Sequence, residues 1–279
     1  MHLRNLLWAA LATAASLSAY PLDAQQSFYE NFRAHNARMT EVQPTWMGPI
    51  TQSDARLTQA MRFSVANWTQ PGAHPISYAN NHGITMVFVR RLQVELDPPP
   101  FLRNHATGLP DGFANLGAQI KYRIASGNAQ HGNYAVSAIL SHGFAPRASR
   151  NFALSSYNEP SITAGKAFGR LALITQVGGW LPTAKVAAQG RTLNWTMTGQ
   201  IHAGQHAWFD VENNFTHFFG SPIDSQSQNM ITPAAFYMIR RKQWKPEHAA
   251  YVLDCGLQTA TSGFHTYNHN LITELRVLF

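Results

Sequence analysis

The sequence predicts an all-β chain folded as an antiparallel transmembrane β-barrel of about twelve strands, within a range of roughly 10–14. Three observations predict it. Apolar and polar residues alternate in segments of roughly ten residues, the length a tilted strand needs to cross a bilayer. Long and short connections between those segments take turns. An export signal precedes a chain with a single cysteine, Cys255.

The alternation is clearest at the end of the chain, LITELRVLF. Leu271, Leu275, Val277 and Phe279 share one parity, while Glu274 and Arg276 share the other with Ile272 and Leu278. A strand sends successive side chains to opposite faces, so one face is apolar and the other carries two charges. LGAQIKYRI sets Leu116, Ala118, Ile120, Tyr122 and Ile124 against Gln119, Lys121 and Arg123. TLNWTMTGQIH, WFDVENNF and YVLDCGLQT repeat the pattern, as does ITMVFVRRLQVEL apart from Arg90 on its apolar side.

Strands are expected near 40–49, 56–68, 83–96, 114–125, 132–143, 159–168, 171–181, 191–202, 206–218, 231–240, 248–260 and 266–279. The gaps 126–131, 169–170, 203–205 and 241–247 are short, and 97–113, 144–158, 182–190 and 219–230 are longer. Bacterial barrels have short periplasmic turns and longer outer loops. Two gaps break the rhythm: 69–82 is long where a short one belongs, and 261–265 is brief where a long one belongs. Pro44 weakens the first segment, since proline cannot donate to a ladder. An even count puts both termini in the periplasm. Trp46, Trp68, Trp180, Trp208 and Trp244 fall near expected strand ends, where an aromatic girdle would lie.

The start, MHLRNLLWAALATAASLSA, has a basic beginning, an apolar stretch from Leu6 to about Leu17 and small residues after it. This is the layout of a secretory signal peptide, residues 1–24, with cleavage expected after Ala24. Residues 25–279 then form one barrel domain, which a polar segment at 25–38 leads into or partly plugs. One cysteine excludes an internal disulfide framework. With no long apolar helix, a spanning chain must close into a barrel. The net charge is +7, yet no Lys/Arg cluster exceeds Arg240–Arg241–Lys242, which argues against a nucleic-acid partner.

The residues VQPTWMGPI near the start, VELDPPPFL at 94–102, DGFANLGAQIKYRIAS at 111–126 and SGFHTYNHNLITELRVLF at the end resemble one family. It is the bacterial outer-membrane transporter family related to the meta-pathway of phenol degradation group. The resemblance runs from about Val42 to Phe279. It implies an outer-membrane barrel and, by association, aromatic or other hydrophobic solutes. It carries over no catalytic residues. The chain departs from the pattern at Glu274 and Leu278, where small, polar or proline residues are expected.

Little points to catalysis or metal binding. The pairs His202/His206 and His265/His269 are four residues apart. On a strand that is about 13 Å, too far for one ion. His202 and His206 flank a tight turn, but no carboxylate or cysteine completes a set. Barrel lipid hydrolases need Ser and His within mutual reach. Here no His is followed two residues later by Ser, and the neighbours Ser141 and His142 point to opposite faces. No cofactor is called for.

What remains is the expected inward set: Arg62, Arg91, Glu95, Lys121, Arg123, Asp210, Glu212, Asp254, Glu274 and Arg276. Such charges either line a hydrated path for a small-molecule solute or pair across the interior and fill it. The signs are mixed, so strong anion or cation selectivity does not follow. The expected function is a passive outer-membrane channel. The alternatives are a side-chain-filled structural or binding barrel and a lipid-modifying barrel enzyme. Loops 97–113, with its stiff PPPF and His105, 144–158 and 219–230 would constrict the mouth. The expected partners are outer-membrane lipid and the barrel assembly machinery, which would recognise the terminal Phe279. Deleting Phe279 should lower membrane assembly in cells more than refolding in detergent; equal effects on both would contradict an assembly role.

Overall fold

Twelve staves of antiparallel strand close on themselves in the computed structural model. It describes residues 30–279 apart from 33, 36–37, 40, 71, 80–81, 106–109, 146–154 and 240–249. The strands are β1 (Ala60–Thr69), β2 (His74–Tyr78), β3 (Ile84–Val89), β4 (Leu92–Asp97), β5 (Phe101–His105), β6 (Gly112–Phe113), β7 (Leu116–Gly127) and β8 (Tyr134–Phe144). They continue as β9 (Tyr157–Phe168), β10 (Leu171–Pro182), β11 (Arg191–Ala203), β12 (Ala207–Phe219), β13 (Ser227–Ile239), β14 (Ala250–Ala260) and β15 (His269–Leu278). One helical turn, α1 (Val186–Gln189), lies between β10 and β11.

The wall runs β15-β14-β13-β12-β11-β10-β9-β8-β7-β4-β3-β1, and β1 closes it by pairing with β15 from Ala60↔Leu278 to Thr69↔His269. Closure pairs each of these twelve strands on both sides, as a barrel in lipid requires. β2, β5 and β6 are not additional staves. They prolong β3, β4 and β7 past interruptions at 79–83, 98–100 and 114–115. Pro98, Pro99 and Pro100 cannot donate to a ladder, which is why β4 stops at Asp97. At the neighbouring break Gly83 is required, because a Cβ there would sit 2.0 Å from the Leu96 carbonyl oxygen. The ladder is carried across this break by Arg62 N to Gly83 O and Ala79 N to Ser64 O, each 2.8 Å.

Outward positions are apolar: Phe63, Ile120, Leu173, Val211, Tyr237 and Leu253 are each about half exposed. Inward positions are Thr, Ser, Gln and charged residues, such as Thr85, Gln93, Thr163, Thr198, Glu212 and Thr232. An apolar band around the outside with a polar inside is stable against hydrocarbon and unstable against water.

Twelve staves match the expected count, but two of the expected segments are corrected. Residues 83–96 are not one strand. They are the hairpin β3–β4, turning at Arg90–Arg91, with a bulge between Val87 and Val89. A two-residue turn alone would invert the parity, as between Phe168 and Leu171, but the bulge adds one residue and restores it, so the alternation runs through unbroken. Arg90, the break in the apolar side, marks the turn. The described residues of 40–49 are not a strand either; from Val42 on they lie inside the barrel, and the wall begins at Ala60. One segment lost and one split leave the count unchanged. The same correction removes the anomaly at 69–82: residues 70–73 are a turn at the far end, and 90–91 is the short turn at the terminus end. The unit that contains the barrel is residues 39–279. Of the expected polar segment 25–38, residues 30–32, 34, 35 and 38 are helical, with Arg38 Nε donating to Ala34 O at 3.1 Å. The expected signal peptide lies outside the described residues.

The girdle expectation also needs correction at three tryptophans, the first of which, Trp68, faces inward and lines the lumen cavity. Trp46 is buried inside the barrel and Trp208 is an inward residue stacked on His202, with ring centroids 4.3 Å apart. Trp244 lies outside the described residues.

Candidate functional site

The described residues of 39–59 run through the lumen as irregular chain after the helical Met39 and bond to the inner face of eight different strands. Gln200 on β11 holds Met47 by both backbone groups: its Oε1 accepts Met47 N at 2.7 Å and its Nε2 donates to Met47 O at 3.0 Å. Glu212 on β12 accepts Ile50 N at 2.5 Å, Thr51 N at 2.9 Å and the Thr51 hydroxyl. Gln176 on β10 accepts Ser53 N at 2.9 Å, and Gln93 on β4 accepts Thr58 N at 2.7 Å. Carbonyls are met as well, by Ser126 on β7 to Val42 O, Ser137 on β8 to Ala55 O, Thr163 on β9 to Ser53 O and Arg276 on β15 to Gly48 O. Within the segment, Gln43 accepts Leu57 N at 2.6 Å and donates to Met39 O and Leu57 O, both at 3.0 Å. Partners on so many staves can be reached only from inside. Non-helical backbone at membrane depth is tolerated only when buried in protein in this way.

Apolar side chains of the segment seat against small inward residues. Met47 and Ile50 pack with Ala66, Ala234, Phe236, Val252 and Ile272. Trp46 and Ala55 pack with Ala135, Ala167, Ala172 and Ile174. Gly165 makes room for the indole, since a Cβ there would be 2.8 Å from the ring. Arg56 stacks over Trp46 at 5.5 Å and pairs with Asp54 at 2.6 Å.

Around this plug the expected inward charges divide. Arg62, Asp254, Glu274 and Arg276 form one network across β1, β14 and β15. Glu274 accepts Arg62 Nε at 2.6 Å and lies 2.5 Å from Arg276 Nε, which is 2.6 Å from Asp254 Oδ2. His82 Nε2 is 3.3 Å from Glu274, and the Arg276 guanidinium stands 5.1 Å over the Phe236 ring. Glu212 anchors the plug, and Asp210 is buried beside Gln200 Nε2 at 3.4 Å. Lys121 and Arg123 do not pair with acids across the lumen. Lys121 Nζ donates to Arg56 O at 3.4 Å, and Arg123 donates to Met39 O at 3.3 Å and Arg90 O at 2.5 Å. Glu95 accepts Gln119 Nε2 at 3.0 Å. Arg91 is corrected: it is exposed in the β3–β4 turn, because the hairpin removes it from the strand face. Phe279 is exposed, and its backbone N donates to Gln59 O at 3.1 Å.

Beyond the plug, in the half of the barrel away from the termini, lies a cavity of about 480 Å³. Plug residues 50–54 form its floor. One wall carries Glu95, Asp97 and Glu159, and the opposite wall carries Asn194, Asn214, Gln258 and Asn270. Tyr267, from the 261–268 loop, donates its hydroxyl to Gln258 Oε1, and burial pushes that hydroxyl up to about 12. Asp97, Glu159 and the floor residues were not among the expected inward set. The first sits at the edge of an expected loop, and the floor lies in a segment whose burial on every side erases any period.

The histidine pairs are engaged separately. His202 stacks on Trp208, His265 Nε2 lies 2.8 Å from Asn268 Oδ1, and His269 Nδ1 lies 3.3 Å from Thr259 Oγ1. Among the described residues no group of three or more His, Cys, Asp or Glu could hold a metal ion. Ser141 and His142 both line the cavity, and His142 Nδ1 lies 2.8 Å from Asn158 Oδ1.

Two solved structures align with this chain at low identity. A KdgM porin aligns at 7% identity over 78% of this chain and 99% of its own, with a TM-score of 0.48. The COG4313 outer membrane channel from Pseudomonas putida F1 aligns at 12% identity over 84% of this chain and 100% of its own, with a TM-score of 0.51. The second likeness shows the fold. No family model matches the chain, and no curated protein matches it.

Replacing Arg276 by Met would leave Asp254 and Glu274 without their shared cation and the Gly48 carbonyl without its donor. Breaking a buried pair in this way costs about 3–5 kcal/mol. The urea midpoint of the refolded barrel should fall accordingly, and an unchanged midpoint would contradict the assigned anchor.

Proposed function

We propose that the chain is an outer-membrane channel for passive passage of small solutes, held closed here by residues 39–59. The carrying observation is a polar cavity whose floor is the plug itself. A barrel that served only as a filled structural element would have no reason to reserve about 480 Å³ above a hydrogen-bonded stopper. The apolar exterior, the even number of staves and the channel-like fold support an outer-membrane site, with the termini facing the periplasm. The expected export signal at residues 1–24 and recognition of Phe279 by the assembly machinery belong to the same reading.

The solute class has two supports that pull apart. The motifs shared with the phenol-degradation transporter family favour hydrophobic or aromatic compounds. The cavity lining, dominated by amides, hydroxyls and carboxylates, favours polar ones.

Passage requires the plug to leave its seat, so Glu212 sets how often the channel opens. Glu212→Ala would strip the acceptor from two backbone N–H groups and a hydroxyl, and each buried donor left unpaired costs about 1–3 kcal/mol. In planar bilayers the wild-type protein should show brief, infrequent steps, and the Glu212→Ala variant longer ones. Silence from both proteins across many insertions would sink the channel reading.

A further inference from the structure

The loop 261–268, at the end of the barrel away from the termini, is joined to the plug by an unbroken run of side-chain hydrogen bonds. Tyr267 hangs from the loop into the cavity and donates its hydroxyl to Gln258 Oε1 on β14. Gln258 Nε2 donates to Asn214 Oδ1 on β12 at 3.2 Å. Asn214 Nδ2 donates to Thr51 Oγ1 in the plug at 2.9 Å, and the Thr51 hydroxyl donates to Glu212. Glu212 also holds the backbone N–H groups of Ile50 and Thr51. Tyr267, Gln258, Asn214 and Thr51 all line the cavity, so the run descends one wall from the loop to the floor.

The run has a direction. A side-chain amide has a donor end and an acceptor end. With Gln258 Oε1 held by the tyrosine hydroxyl, its Nε2 is turned toward Asn214 Oδ1. That in turn aims Asn214 Nδ2 at Thr51 Oγ1. Thr51 Oγ1 also lies 3.2 Å from Asn214 Oδ1, but its single proton serves the closer Glu212 oxygen. Without the tyrosine hydroxyl, Gln258 is free to turn its amide over, which would set its carbonyl oxygen against that of Asn214. Linked bonds of this kind strengthen one another in a low-dielectric interior. Tyr267 itself is held in place. Asn229 N on β13 donates to Ser262 Oγ at 2.8 Å, and Thr266 donates to Gln228 Oε1 from both its N and its hydroxyl at 3.0 Å. Asn268 N donates to Thr69 O on β1 at 2.9 Å, and Phe264 meets Phe218 edge-on with centroids 5.8 Å apart. The hydroxyl, pushed up to about 12 by burial, stays a donor.

We infer that Tyr267 is the latch of the plug: from the 261–268 loop it orients Gln258 and Asn214 so that Thr51 stays seated on Glu212, and breaking its bond to Gln258 loosens the seat. It acts through two intervening amides and is therefore a positioning residue. The two states that it biases are the plug seated and the plug released. A displacement of the loop is thereby felt at the floor of the cavity, on the part of the plug that must move. This rests on reading residues 39–59 as a plug that leaves its seat. It does not require that a solute pass through.

The test is amide hydrogen exchange, read by mass spectrometry, of the full refolded protein in detergent. Tyr267→Phe deletes one oxygen atom. Exchange at Ile50, Thr51 and Ser53 should quicken about threefold to tenfold, the factor carried by one intramolecular hydrogen bond, while β11 keeps its wild-type rates. Gln258→Met should quicken the same amides, and adding Tyr267→Phe to it should quicken them no further. Gln258→Ala takes its place if Gln258→Met fails to fold. Thr266→Val loosens the same loop at Gln228 but spares the tyrosine bond, so plug exchange should stay at the wild-type rate. Unchanged plug exchange in Tyr267→Phe, equal quickening of β11, additive effects in the double variant, or equal quickening by Thr266→Val would overturn the inference. The measurement needs no open path. Quickened exchange alongside silent bilayers therefore leaves the latch standing and removes the channel, and conductance with unaltered exchange does the reverse.

Discussion

The backbone of residues 47–58 has no secondary structure of its own, and its hydrogen bonds end on side chains of the barrel wall. The rest of the structure depends on this. A strand pairs with its neighbours, but an irregular segment in a lumen must be met group by group. Gln200, Glu212, Gln176 and Gln93 supply acceptors, and Ser137 and Arg276 supply donors. The polar parity of these strands is therefore a template for one particular segment more than a hydrophilic lining for water. It also explains how a carboxyl group as deeply buried as that of Glu212 is tolerated: it accepts three hydrogen bonds from the plug.

The wall's last stave ties this arrangement together. Arg276 on β15 reaches the plug at Gly48 and Pro49, its own strand neighbour at Glu274 and the adjoining stave at Asp254. Glu274 in turn holds Arg62 on β1, the strand that β15 pairs with to close the barrel. The seam of the barrel and the seat of the plug thus share one ionic network. A conformational change that frees the plug has to leave this network intact to keep the wall closed. The attachments at Ile50, Thr51 and Ser53 lie next to the cavity and outside the seam network, so release that begins there leaves the seam closed.

Most of the wall was legible because each stave has one face in lipid and one inside, which writes a period of two into the sequence. Leu271, Leu275 and Val277 against Glu274 and Arg276 is the plainest case. The hairpin at Arg90–Arg91 was hidden because the bulge between Val87 and Val89 cancels the parity change of a two-residue turn and keeps that period in step. The plug was hidden for the opposite reason. Met47, Ile50 and Trp46 meet protein on all sides, so no face of the segment is free to be uniformly apolar or polar. Pro44 and the Gly48–Pro49 pair were the local marks against a strand, since neither proline can join a ladder. Among charged residues, parity gave direction but not partner. It put Lys121 and Arg123 on the inner face, but their bonds to plug and turn carbonyls depend on a segment that the pattern had placed in the wall.

The central claim is that residues 39–59 sit in the lumen and close it. Thr51 Oγ1 and Asn214 side-chain atoms are in hydrogen-bond contact across the plug–wall boundary, at 2.9 Å to Nδ2. In a Cys255→Ser background, Thr51→Cys with Asn214→Cys should form a cross-link on oxidation of the folded barrel. Single-channel recording should then be silent, with openings returning on reduction. Failure to cross-link in the folded barrel, or unaltered conductance once cross-linked, would contradict the account.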